Sequence, residues 1–115
     1  MAKNMYSREV TPREKVILLL KKASEEIIRL IPLDTVILYG SYANGTPKYY
    51  SDVDLAVVSP EFGKDIINEA VKLMELYEST GLMVEPRAYS RQEFQESGPG
   101  TFLHEEVVKK GIRIL

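Results

Sequence analysis

The chain has 115 residues, 44% of them hydrophobic and 28% charged, with a net charge of −2, a balance that fits one globular domain with a single core. That charge excludes a broadly basic protein, so strong nucleic-acid binding is not expected, and the absence of cysteine excludes disulfides, thiolate nucleophiles and Cys-based zinc sites. No run approaches the roughly 20 apolar residues of a membrane span, and MAKNMYSREVT lacks the apolar core of a signal peptide; the expectation is a soluble, cytoplasmic protein without membrane association.

Residues 1–10 read as a polar tail on a single domain that occupies the rest of residues 1–115. TPRE then predicts a helix start, with Thr11 as N-cap, Pro12 at the first helical position and Glu14 closing a capping box. Val16, Leu20, Ala23, Ile27 and Leu30 recur at helical spacing, and the helix should stop near Pro32. TVILY, Thr35 to Tyr39, reads as a buried strand that ends at Gly40, and ANGTPK as a loop. A second strand is expected from about Asp52 to Val58. Next comes a helix with Ile66, Ala70, Met74 and Tyr77 as its core stripe and Gly81 at its stop. A third strand, about Leu82 to Tyr89, leads into SRQE, where Ser90 and Glu93 predict a capping box for a short helix. SGPG breaks the chain, Thr101 to Lys110 reads as a last helix capped by Gly111, and IRIL as a terminal strand.

This order predicts an α/β (α+β) fold, a small mixed sheet with helices packed on it. Strands two and three would be parallel across a right-handed crossover, and strands one and two antiparallel.

The stretch LYGSYANGTPKYYSDVDLAVV carries the chemistry. Aspartate is depleted in strands and costly to desolvate, yet Asp52 and Asp54 fall in an apolar strand at the period of two that sends both carboxylates to one face. Either the sheet edge is wet there or a cation binds, and such a pair of hard oxygen anions suits Mg²⁺, which takes one or two protein carboxylates and leaves its other positions to water and phosphate. Two ions in such a site stabilise the attacking and leaving oxygens of an in-line displacement. Gly40 lets the backbone approach a ligand closely, and Ser41 offers an amide and a hydroxyl to a phosphate oxygen. No Walker lysine is present, so metal would neutralise most of a triphosphate's charge.

Gly40-Ser41, ten intervening residues and Asp52-Val53-Asp54 resemble the signature of the nucleotidyltransferase superfamily that shares the DNA polymerase beta palm fold. The short chain and the fuller motif resemble its minimal nucleotidyltransferase (MNT) branch. The resemblance implies that Asp52 and Asp54 hold Mg²⁺, that Gly40 and Ser41 grip the triphosphate of ATP or another NTP, and that a third carboxylate completes a two-metal site and acts as base. Glu85 is the candidate, although Pro86 beside it removes a ladder donor, and Glu85 could instead be a surface partner of Arg87. The tyrosines Tyr39, Tyr42, Tyr49 and Tyr50 read first as packing under the loop, with base stacking the alternative. Lys48 reads as a solvated loop residue, and His104 as structural or exposed.

The resemblance further implies transfer of a nucleoside monophosphate, AMP from ATP, with release of pyrophosphate. A single core leaves no room for an acceptor-binding domain, so the acceptor site is expected on a partner or a second copy. The family points to a HEPN-domain toxin, a tyrosine of which would accept the nucleotide, with this chain as antitoxin. The competing expectation is a non-catalytic binding module that neutralises a partner by contact.

Overall fold

The computed structural model describes residues 10–115; the expected N-terminal tail, apart from Val10, lies outside them. Helix α1 spans Arg13–Ile27 and starts one residue later than predicted. Pro12 rather than Thr11 occupies the cap position, extended at ψ 139°, and no side chain caps the helix. Its carbonyl accepts the Val16 N–H at 3.0 Å, so the proline supplies the first turn and the Thr11–Glu14 box does not form. Val16, Leu20, Ala23 and Ile27 are buried as their spacing requires. Leu30 is 71% exposed, because the chain has left the helix through a turn in which its N–H bonds the Ile27 carbonyl at 2.8 Å.

Strand β1, Thr35–Tyr39, is buried along its whole length. The expected loop then opens with a short helix, α2, Ser41–Asn44. Strand β2 runs Val53–Ser59, so Asp52 precedes it. Helix α3, Ile66–Leu76, is capped by Asp65, whose side chain accepts from the Asn68 N–H. A 3₁₀ turn, Glu78–Thr80, follows and ends at Gly81 in the left-handed conformation. The predicted core stripe of α3 holds at Tyr77, which is buried, but not at Ile66 and Met74, which are about half exposed; Leu73, outside that stripe, is buried instead. Apolar residues lie on both sides of this helix, so their spacing admits either stripe and only the docking on the sheet chooses.

Strand β3, Val84–Ser90, runs directly into α4, Arg91–Glu96. Here the predicted capping box forms in full: Ser90 Oγ accepts from the Glu93 N–H at 3.0 Å and Glu93 Oε1 from the Ser90 N–H at 2.9 Å. The last helix is a π-helix over Leu103–Val108, shorter than predicted and of a type that spacing does not reveal. Strand β4, Ile112–Arg113, closes the chain. Gly111 between them is needed for space, because a Cβ there would meet the Val107 and Leu38 carbonyl oxygens and Ile37 Cγ2.

The sheet order is β3-β2-β1-β4, with β2 and β3 parallel and β1 antiparallel to both β2 and β4. One face, through Val36, Leu38, Leu55 and Val57, packs against α1 and α3. A buried hydrogen bond of 2.7 Å between Ser24 and Tyr77 ties these two helices together. The other face, through Ile37, Tyr39 and Ala56, is covered by Leu103 and Val107 of the π-helix. Among the described residues every buried side-chain nitrogen and oxygen has a hydrogen-bond partner, and no helix is long and apolar enough to cross a membrane.

Candidate active site

The period of two in β2 sends Val53, Leu55 and Val57 into the core and Asp54 to the opposite face. Asp54 lies between Tyr39 on β1 and Glu85 on β3, each its direct register partner. Pro86 does not displace Glu85. β3 is an edge strand, where a missing N–H is tolerated, and its pairing with β2 runs unbroken from Val84 to Ser90. Pro86 turns inward and is buried, while Glu85 and Arg87 are exposed on the face that carries Asp54.

Gly40 is fitted to this carboxylate. Its backbone sits at φ 76°, ψ −150°, a region that is essentially glycine-only, and a Cβ there would run into Asp54 Oδ2. The bare glycine is therefore a cradle for the Asp54 side chain. Ser41, half-buried, is the first residue of α2, whose leading amides have no intrahelical acceptor. Asp52 is exposed, just outside the strand.

Electrostatics follow from this grouping. Burial, then the Glu85 and Asp52 carboxylates, push the Asp54 pKa above its ordinary value, and Arg87 partly offsets them. The Tyr39 hydroxyl beneath is pushed up to about 12, mainly by burial. Arg87 is held even more firmly protonated, first by Tyr39 and also by Tyr89 and Glu85.

Asp54 and Glu85 thus form a carboxylate pair in register, with Asp52 near enough to be felt. Among the described residues no three ligating side chains converge into a ready-made metal cluster. Two carboxylates are nevertheless the protein contribution that Mg²⁺ ordinarily takes, and the bare Gly40 backbone lets the Asp54 carboxylate seat against it.

The remaining tyrosines divide. Tyr39 and Tyr42 are buried, whereas Tyr49 and Tyr50 are 54% and 70% exposed and meet edge to face at 5.1 Å, so packing under the loop describes only the first two. Lys48 is exposed, and its N–H bonds Ser51 Oγ at 2.8 Å. His104 lies on the π-helix, part-buried, with Nε2 3.8 Å from Glu105. A cleft of about 420 Å³ opens beside Asp54, lined by Tyr39, Gly40, Asp54, Arg87, Phe102 and Glu106. Phe102 and Glu106 have no counterpart in the sequence-level site. They arrive with the C-terminal helix, some fifty residues beyond Asp54, and no local pattern signals that approach.

Three solved structures of low identity share the fold. A candidate nucleotidyltransferase from Sulfolobus solfataricus aligns at TM-score 0.61 and 18% identity, covering 98% of this chain and 89% of its own. A toxin-antitoxin structure with AMP-PNP aligns at TM-score 0.57 and 24% identity, covering 91% and 73%. A mutant of the toxin-antitoxin MntA-HpeT aligns at 0.56 and 22%, with the same coverages of 91% and 73%. No curated protein matches significantly. The family model for the nucleotidyltransferase domain matches residues 20–114, which include the Gly-Ser turn, both aspartates, Glu85 and the C-terminal wall of the cleft, and the chain therefore belongs to the nucleotidyltransferase domain family.

Proposed function

We propose that this chain transfers a nucleoside monophosphate, AMP from ATP, to an acceptor and releases pyrophosphate, with Asp52, Asp54 and Glu85 as the metal ligands. The observation that carries this reading is the glycine-only backbone of Gly40 closed against Asp54, with Glu85 in register on the next strand. A core-facing role would not need that arrangement. Two like charges held side by side on a half-desolvated surface repel, and a divalent cation relieves the repulsion. When bound, Mg²⁺ supplies charge neutralisation and polarises the reacting phosphoryl group. Gly40 and Ser41 hold phosphate oxygens through backbone and hydroxyl donors. Glu85, the more exposed of the register pair, takes the proton of the acceptor hydroxyl.

The acceptor is a partner protein, in this reading a tyrosine of a HEPN-domain toxin in the cytoplasm, and residues 1–115 act as one domain and as the antitoxin. The toxin-antitoxin neighbours support such a partner, as does AMP-PNP in one of them for an adenine nucleotide. In the other, two aspartates two positions apart are replaced by glutamate, the spacing of Asp52 and Asp54. A homo-oligomer is compatible with the same site. The alternative, a contact-only antitoxin, draws on the lack of a preassembled three-ligand cluster among the described residues.

Co-expression with the product of the adjacent gene, followed by intact mass measurement, tests the proposal. The expected result is a gain of one or more AMP units on the partner, abolished by Asp52→Asn and Asp54→Asn. A stable complex without mass gain would favour the contact-only antitoxin, and efficient transfer to a small molecule without any partner would remove the protein-acceptor premise.

A further inference from the structure

The cleft beside Asp54 has a charge imbalance that the carboxylate pair and Gly40 do not resolve. Asp54 and Glu106 line it, Glu106 being paired with Lys110 at 3.0 Å, and Glu85 stands next to Asp54 in register. A polyphosphate entering it meets one cationic side chain among the described lining residues, Arg87. We infer that Arg87 is a substrate-contacting residue, its guanidinium donating hydrogen bonds to phosphate oxygens of the bound nucleotide. This rests on the nucleotidyltransferase reading and extends it to a residue outside the Gly-Ser and carboxylate motifs.

The geometry that supports it begins with the sheet register. Arg87 lies opposite Ala56 on β2, which in turn pairs with Ile37 on β1. Ala56 is small and fully buried, so the long arginine stem can cross over it. At the far end the guanidinium carbon stands 4.8 Å from the centroid of the Phe102 ring, and that ring meets Tyr39 edge-on at 5.8 Å. A ring contact of this kind satisfies the cation electrostatically without using its donors. The planar fork therefore remains available for an oxyanion. Tyr89, two residues on along β3, also favours the charged form of Arg87, and a guanidinium has five N–H donors to offer a ligand. Arginine suits this task better than lysine, because its planar fork matches two phosphate oxygens at once.

The test is calorimetric titration of Mg·AMP-PNP into the wild type, Arg87→Met, Arg87→Lys and Phe102→Leu. Mn²⁺ binding followed by electron paramagnetic resonance is measured on each protein in parallel. Loss of a charge-assisted phosphate contact should weaken nucleotide binding by about 10- to 100-fold in Arg87→Met. A smaller loss is expected in Arg87→Lys, which keeps the charge but not the fork, and in Phe102→Leu, which keeps the fork but not its platform. Mn²⁺ affinity should not fall, because Arg87 donates to phosphate and not to the metal, and its positive charge opposes the cation. Should Arg87→Met fail to melt cooperatively, Arg87→Lys carries the comparison. Equal nucleotide affinity in wild type and variant would overturn the assignment, as would parallel loss of Mn²⁺ and nucleotide, which would mean that Arg87 only arranges the carboxylates. A wild type that binds Mn²⁺ but no nucleotide would instead refute the nucleotidyltransferase reading on which the inference rests.

Discussion

Replacing Gly40 by alanine separates the cost of a backbone conformation from the cost of obstructing a carboxylate. Gly40 sits at φ 76°, ψ −150°, where a residue with a Cβ pays about 1–3 kcal/mol in backbone strain. Gly45, five residues on, is the control, at φ 78°, ψ 21° in the left-handed helical region, where alanine costs about 1–2 kcal/mol. A Cβ at Gly45 meets nothing within 4 Å, whereas one at Gly40 overlaps Asp54 Oδ2. For a chain of this size 1 kcal/mol corresponds to about 4 °C in Tm, so Gly40→Ala should melt lower by about 4–12 °C and Gly45→Ala by about 4–8 °C. Their ligand binding should diverge. Gly40→Ala must push the Asp54 carboxylate aside and should lose Mg·ATP affinity by at least about tenfold, the equivalent of one charge-assisted contact, while Gly45→Ala should bind as the wild type does. Thermal melts followed by circular dichroism, paired with calorimetric titration below the lower Tm, measure both quantities. Wild-type affinity in Gly40→Ala, or an equal loss in both variants, would refute the cradle.

Asp54→Asn should raise the Tm of the metal-free protein at neutral pH while abolishing nucleotide binding. Its carboxyl pKa is raised from 3.8 by burial and by its acidic neighbours. The native chain thus holds a proton that the unfolded chain has released, and stability falls as pH climbs from 3.8 through the native value; an unchanged or lower Tm in EDTA would contradict this. Glu85→Gln should reduce turnover far more than nucleotide affinity, as expected of a group that removes a proton in the transition state; steady-state rates with a competent acceptor decide it. Tyr77→Phe leaves the Ser24 hydroxyl buried without its 2.7 Å partner and should cost about 1–3 kcal/mol in urea unfolding. Because the Tyr77 hydroxyl is pushed from 10.0 to about 12, the native form keeps its proton where the unfolded chain loses it. Stability should accordingly decline between pH 10 and about 12, and the phenylalanine variant should decline less steeply. Ser90→Ala removes the capping box of α4 and should lower stability by about 1 kcal/mol, readable in the same denaturation curves.

The sequence by itself determined those features whose physics is local. β1 is an unbroken apolar, β-branched run of strand length, and the structure returns Thr35–Tyr39 as read. The α4 capping box depends on two residues three apart and forms as written. The parallel pairing of β2 with β3 follows from the helix between them, because a crossover of that length returns the strand in the same direction. The Gly-Ser and Asp-x-Asp spacing was legible because its two halves lie within fifteen residues, at the adjoining ends of strands that pair as neighbours. What lay beyond the sequence depended on contacts between distant segments. Helix α3 carries apolar residues on two faces, and only docking on the sheet buried Leu73 and left Met74 half exposed. Pro86 looked disruptive until β3 proved to be the edge strand, where its missing donor costs no ladder bond. Phe102 and Glu106 joined the cleft because β4 pairs with β1 and brings the preceding π-helix over Tyr39. No short-range pattern encodes that return; it is set by the burial of Leu103 and Val107 against Ile37 and Ala56, contacts that exist only once the sheet has formed.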